Sequence, residues 1–364
     1  MSEVKIKLAA GTNVGLIRQN NEDNFIVSSD LSTSEWLIPQ AGSYAGLGEF
    51  GALLVVADGM GGANAGEVAS AIAVETIQEK FTPEQLREVV TDDKSAQEFM
   101  KAVVRQADLN ILNHSKEDPS TQGMGTTIVM AWILGDKAYV CWCGDSRCYV
   151  LNKRNGLLQL SKDHSYVQEL VDKGELDPEL MHDHPLSNVI TRCLGDVDNR
   201  ANPETRIYQL HNGDIIMLCS DGLCGLRHDS EILDVMIKFH KDPVELKNEL
   251  ISSALSAGGY DNVTVAIANI QTDEEEKAEE DTQDEEEKKN DADNTEESEE
   301  ELSSTIRTEV IGHRSHRLRN FLLFFLLMII AAGVYIYIAR DSEPVKAMMT
   351  TITPYWEKVL SYIQ

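Results

Sequence analysis

Apolar and polar residues alternate strictly at 4–9, Val4-Lys5-Ile6-Lys7-Leu8-Ala9, and this period of two predicts a half-buried strand. Residues 53–57, Leu53-Leu54-Val55-Val56-Ala57, are instead unbroken, too short for a helix and β-branched at their centre, so they predict a strand buried on both faces. A short strand is expected at 25–27. A meander is expected at 126–134, 137–143 and 147–151, broken by Gly135-Asp136 and Gly144-Asp145, and further strands at 214–219 and 263–270. Helical signals stand between them. Asn64 with Glu67 is a capping pair for a helix running to about residue 80, and Thr82-Pro83-Glu84-Gln85 and Ser95-Ala96-Gln97-Glu98 are two more starts. Met100, Val103, Val104, Ala107 and Ile111 then recur at helical spacing, and helices are also expected at 166–173, 229–239 and 243–257. The polar stretch 161–205 reads as a surface excursion, and its His164, His182 and His184 read as packing or surface residues rather than catalysts.

Composition changes this picture at the far end of the chain. The 364 residues carry a formal net charge of −29, yet residues 271–305 hold 18 acidic residues and 3 lysines, which leaves about −14 for everything else. Nucleic acid is therefore excluded as a partner on charge. Residues 321–338, FLLFFLLMIIAAGVYIYI, are uncharged and apolar, about 27 Å long as a helix, enough to cross a bilayer core with their flanks. Arg307, Arg314, Arg317 and Arg319 precede the run and fewer cations follow it, so the amino-terminal side is expected to be cytoplasmic. The chain divides accordingly: 1–270 catalytic, 271–305 an acidic disordered linker, 306–320 a basic juxtamembrane segment, 321–338 a transmembrane helix and 339–364 a short extracytoplasmic tail. Six cysteines without a leading signal segment fit reduced thiols, and the C-x-x-C pairs of a zinc ribbon are missing.

The candidate chemistry lies where strands end. Residues 53–57 deliver Asp58, and Gly59, Gly61 and Gly62 follow at once, leaving a carboxylate and bare carbonyls for a hard cation. A phosphate-binding loop fails here, because Glu67-Val68 replaces the required Lys and Ser or Thr, and the dinucleotide fingerprint fails at Asn64. One Asp-Gly is an ordinary tight turn. The device returns, however, at Asp221-Gly222, at Gly144-Asp145 and around Asp261, and carboxylates gathered at one end of a sheet repel unless cations neutralise them. All-oxygen ligation favours Mg²⁺ or Mn²⁺ over zinc.

With these motifs in order, the chain over about residues 5–270 resembles the metal-dependent serine/threonine protein phosphatases of type 2C, in a bacterial-like form. The motifs are R-x-x-N-E-D at 18–23, ADGMGG at 57–62, GMGTT at 123–127, GDSR at 144–147, and SDG with DN at 220–222 and 261–262. The resemblance implies an α+β fold, a four-layer α-β-β-α sandwich with a central antiparallel β-sandwich, to which the C-terminal transmembrane helix is added. It implies two ions, Mn²⁺ or Mg²⁺: Asp58 bridging, the Gly59 carbonyl on one, Asp221 and Asp261 on the other. Glu22 and Asp23 would hold metal-bound waters, Asp145 with Asp221 would suit a weaker third ion, and Arg18 would grip the substrate phosphate. Catalysis would fall to Arg18, Asp58, Asp221 and Asp261, with a metal-activated water attacking phosphorus. Met60 departs from the His common in animal members, so the leaving-group proton would come from a metal-bound water. The implied partners are phosphorylated proteins and the serine/threonine kinases that make them. A catalytically silent, membrane-tethered module binding phosphoproteins or a kinase is the competing expectation.

Overall fold

The two hydrophobic periods become two facing sheets and two helical layers in the computed structural model, which describes residues 4–33, 36, 44–61 and 65–272. In chain order come β1 (Val4–Asn13), β2 (Asn24–Ser28), β3 (Ala45–Gly46), β4 (Ala52–Ala57) and β5 (Gly59–Met60), then α1 (Ala65–Lys80), α2 (Pro83–Val89) and α3 (Asp93–Glu117). The meander follows as β6 (Gly125–Thr126), β7 (Ile128–Leu134), β8 (Lys137–Cys143), β9 (Arg147–Asn152) and β10 (Gly156–Gln159), with α4 (Tyr166–Asp172) in the excursion. The last part holds β11 (Glu204–Gln209), β12 (Ile215–Cys219), α5 (Asp221–Cys224), α6 (Asp229–Phe239), α7 (Pro243–Ser256) and β13 (Val263–Thr272).

One sheet has the order β10-β9-β12-β13-β1-β3, the other β11-β8-β7-β4-β2, and β5 pairs with β6 as a small ribbon. The period-two rule explains how they stack. In β4 every residue is buried: Ala52, Leu54 and Val56 face the other sheet, while Leu53, Val55 and Ala57 face helices. The inter-sheet core joins these to Ile6 and Leu8 of β1, Ile216 and Leu218 of β12, and Ala266 and Ala268 of β13. The second core lies between β4, β7 and β8 and the apolar faces of α1 and α3, where the expected Met100, Val103, Val104, Ala107 and Ile111 are all buried. At its centre Trp132 donates Nε1–H to the Phe50 carbonyl at 2.8 Å and meets Phe81 edge-on. On the outer face of the six-stranded sheet, α7 packs on β1 and β13, and α6 packs on α7. The layers are therefore α-β-β-α.

Local differences from the sequence reading have physical reasons. The third helix starts at Asp93, not Ser95: the Asp92 carboxylate accepts from Ser95 N–H at 2.7 Å while the Ser95 hydroxyl oxygen accepts from Asp92 N–H at 2.9 Å, so Ser95 is the inner half of a capping box. Within the stretch read as excursion and beyond it, β11 was missed, because a half-exposed edge strand rich in polar residues shows no apolar face. Strand β13 continues to Thr272, with Gln271 opposite Lys5 and Thr272 opposite Val4, two residues past the strand end expected at 270. Among the described residues no helix is long and apolar enough to cross a membrane. The Asn64 cap, the acidic linker, the juxtamembrane segment, the transmembrane helix at 321–338 and the tail lie outside the described residues.

Candidate metal centre

Each sheet contributes carboxylates to the same end of the sandwich. Asp58 follows β4 of the five-stranded sheet, whereas Asp221 follows β12 and Asp261 precedes β13 of the six-stranded one. Asp58 is held by its backbone: its carbonyl accepts from Thr127 N–H at 2.8 Å and from the Thr126 hydroxyl at 2.9 Å, and its N–H donates to Thr127 Oγ1 at 3.2 Å. Thr127 Oγ1 also lies 2.7 Å from Ser146 Oγ, so the GMGTT and GDSR segments are fastened to one another and to Asp58. Gly59 is obligatory, since a Cβ there would collide with the carbonyls of Gly66 and Glu22. The first turn of α1 passes that closely.

The loop at 18–23 is fastened from the other sheet. Asn262 donates Nδ2–H to the carbonyls of Val14 at 2.9 Å and Asn20 at 3.0 Å, and its Oδ1 accepts from Glu22 N–H at 2.7 Å. Ser70 of α1 donates to the Glu22 carbonyl at 2.6 Å. Asp23 is buried, and its Oδ2 accepts from Ser220 Oγ at 2.8 Å and Thr264 Oγ1 at 2.6 Å. Arg18 stands at the rim, half exposed, and its Nη2 donates to Asp261 Oδ2 at 2.7 Å. The sequence-predicted Arg18, Glu22, Asp23, Asp58, Gly59, Asp145, Asp221 and Asp261 all belong to this one region.

The charges are expensive where they stand. Burial pushes the Asp23 carboxyl up to about 7, with Asp221 and Asp261 adding repulsion. Burial, then Asp221, Asp23 and Asp145, raise Asp58 well above the ordinary carboxylate range; burial and Asp221 do the same to Asp145. Asp221 is raised by burial and by Asp261, and Glu22 by burial. Asp145 Oδ1 is buried with no hydrogen-bond partner among the described residues. An orphaned carboxylate oxygen amid like charges is what a cation satisfies and a hydrogen-bond network does not. Every donor in the set is oxygen, which fits Mn²⁺ or Mg²⁺.

Sequence reasoning had no role for Asn262, Thr126, Thr127, Ser220 or Thr264, and it left His164 as a packing residue. His164 does pack, with its ring on Trp142, but it also grips the Asp145 loop: its Nδ1 accepts from Gly144 N–H at 3.1 Å and its backbone N–H donates to the Gly144 carbonyl at 3.0 Å. An accepting Nδ1 places the proton on Nε2, which faces Glu204 Oε1 at 3.2 Å, and burial holds the imidazole neutral by lowering its pKa. The thiols are inert. All six cysteines are free, five are buried, and burial pushes even the half-buried Cys193 up to about 11.

Comparisons with known proteins point to one family. Residues 44–251 match the family described as Protein phosphatase 2C. Serine/threonine protein phosphatase PstP of Mycobacterium tuberculosis is 34% identical over 269 residues, 73% of this chain, and the match spans 45% of that protein's length. Serine/threonine phosphatase stp of Listeria welshimeri is 31% identical over 70% of this chain and 92% of its own. The crystal structure of the PstP catalytic domain in complex with two manganese ions superposes with a TM-score of 0.58 at 30% identity, covering 74% of this chain and 99% of that one.

The buried carboxylates make a pH signature. Asp23 is near 7 in the folded protein against an ordinary 3.8, so the stability tied to its neutral form is complete below about pH 4 and lost as pH rises through about 7. Asp58, Asp145 and Asp221 shift the same way. In EDTA the melting temperature is expected to fall between about pH 5 and pH 8, and Mn²⁺ at about 100 times its Kd should add about 2.7 kcal/mol at the upper end. Scanning calorimetry across that interval checks this; a melting temperature in EDTA that climbs with pH would contradict it.

Proposed function

Because the chain belongs to the protein phosphatase 2C family, we propose that it is a metal-dependent protein-serine/threonine phosphatase that hydrolyses phosphoserine and phosphothreonine with water as the nucleophile. The observation that carries this reading is the convergence of Asp23, Asp58, Asp145, Asp221 and Asp261 with an exposed guanidinium at their rim. Two Mn²⁺ or Mg²⁺ ions held by these oxygens would activate a water and absorb phosphoryl charge. The residues themselves set the rest. Arg18 presents a planar fork that matches phosphate oxygens and cannot ligate a cation. Its hydrogen bond to Asp261 aims that fork at the carboxylate set, and an incoming phosphate competes for it. Five of the six cysteines are buried and burial pushes the Cys193 thiol up to about 11, which leaves the attack to water. The Met60 thioether carries no proton and cannot protonate the leaving alkoxide, so that proton would come from a water held at the metal centre.

A silent binding module would have no need of five mutually repelling carboxylates, which cost stability unless cations are bound. We favour the enzyme for that reason. The physiological reading adds the segments beyond residue 272. Residues 321–338 would cross a bacterial plasma membrane once, with the catalytic domain on the cytoplasmic side, where it would oppose serine/threonine kinases acting on the same phosphoproteins. Residues 273–305 would be an acidic, self-repelling tether that stays extended and off an anionic surface.

Asp221→Asn removes one charged ligand without changing volume. Its Mn²⁺-dependent turnover of phosphothreonine peptides is expected to fall by about two orders of magnitude or more with an unchanged circular dichroism spectrum. Wild-type activity should vanish in EDTA; equal rates with Mn²⁺ and EDTA would end the two-metal reading.

Arg18→Ala should lower kcat/KM for phosphopeptides by about 10- to 100-fold, the worth of a charged hydrogen bond. Calorimetric Mn²⁺ affinity should hold or improve, because Asp261 loses its competing cation. Weaker Mn²⁺ binding in this variant would mean that Arg18 orders the metal ligands instead.

For topology, alkaline phosphatase fused after Gln364 should be active in a bacterial host, and the same reporter fused after Thr272 inactive. The reverse pattern would invert the orientation.

A further inference from the structure

Away from the carboxylate centre, His182, Asp183 and His228 form the group of three among the described residues whose ligand atoms all lie within 4.8 Å of one another. The first two belong to the turn after the short 3-10 helix Pro178–Leu180, and His228 caps α6, so the cluster joins segments distant in sequence. His182 Nδ1 is 3.3 Å from Asp183 Oδ1. That hydrogen bond engages Nδ1 and leaves Nε2 as the ring nitrogen open to an ion. The imidazoles of His182 and His228 lie 4.0 Å apart between centroids, tilted by 31°, so one ring turns when the in-plane nitrogens of both meet a single ion. A second observation points to a ligand as well. His182 Nε2 is sealed from solvent and has no hydrogen-bond partner among the described residues, although buried ring nitrogens are ordinarily satisfied.

The donor set separates this cluster from the main centre. Two imidazoles and one carboxylate suit a borderline cation, and such sites bind zinc more tightly than manganese, whereas an all-oxygen set selects Mg²⁺ or Mn²⁺. We propose that His182, Asp183 and His228 constitute a separate Zn²⁺ site that clasps the turn at 178–184 to the start of α6. His182 also lines the cleft that contains Asp145, Arg147 and Asp221. A bound zinc therefore fixes one wall of that cleft while sharing no ligand with the carboxylates.

The full-length protein is first saturated with Mn²⁺, which fills the carboxylate centre, and is then titrated calorimetrically with Zn²⁺. One equivalent of zinc is expected to bind, and Asp221→Asn, which damages only the carboxylate centre, should leave that isotherm unchanged. His228→Gln and Asp183→Asn should each weaken zinc at least about tenfold, since even outer-shell changes cost 10- to 100-fold. Their Mn²⁺ isotherms should match wild type, which also verifies the fold. Wild-type zinc affinity in both His228→Gln and Asp183→Asn, or loss of the zinc equivalent in Asp221→Asn, would overturn the proposal.

Discussion

Mutual repulsion among buried carboxylates is the constraint that the rest of this structure answers. At the low effective dielectric of the sandwich end, like charges a few ångströms apart cost several kcal/mol each unless they are protonated or neutralised by cations. Asp58, Asp145 and Asp221 feel one another in this way, and Asp23 and Asp261 contribute to the same field. Such a set holds its shape only if something other than the carboxylates fixes the backbone. The fixing is done by short neutral groups: Thr126 and Thr127 on Asp58, Asn262 on the loop at 18–23, Ser220 and Thr264 on Asp23. These are hydroxyls and amides because a further charge would either cancel the field or compound it.

The position of the site follows from the two-sheet architecture. Asp58 is carried by β4 in one sheet, Asp221 and Asp261 by β12 and β13 in the other. Neither sheet assembles the centre alone, so the inter-sheet core of Leu54, Val56, Leu218 and Ala266 is also the part that sets the spacing of the ligands. Backbone crowding at Gly59 and Gly222 tells the same story. A Cβ at Gly222 would strike the Asn262 carbonyl, and one at Gly59 would strike Gly66 and Glu22, so distant segments already touch backbone to backbone at the site.

How much of this was legible along the chain depends on the range of the interaction. Patterns of period two and 3.6 report which face of an element is buried, and they located β4, β7, β8, β12 and the core face of α3 because those elements are apolar on the buried side. Carboxylates at strand ends were legible for a related reason: an Asp-Gly after an apolar run is visible locally. The partners were not. Asn262 to Val14 and Thr264 to Asp23 connect residues more than 200 positions apart, and nothing in the spacing of Asn or Thr announces such a bond. His164 looked like a packing residue because the partner its Nδ1 grips is the main-chain N–H of Gly144, which no residue type announces. The helix start at Asp92 was ambiguous locally, since Asp92-x-x-Ser95 and Ser95-x-x-Glu98 both have capping character and only the observed hydrogen bonds choose.

The ion pair between Arg18 and Asp261 brings these strands of argument together. Arg18 lies at the rim and Asp261 beside it, each partly open to water, so their attraction is screened and modest by itself. A modest pair is an exchangeable one. The buried carboxylates behind it cannot trade partners with solvent, but Asp261 can pass from a guanidinium to a cation, and the guanidinium from a carboxylate to a phosphate, without burying an unpaired charge in either step. The gradient from sealed Asp145 and Asp23 to half-open Asp261 is thus a physical property of the site: rigid, costly charge at the back that demands cations, and cheap, interchangeable charge at the mouth where a phosphorylated side chain would enter.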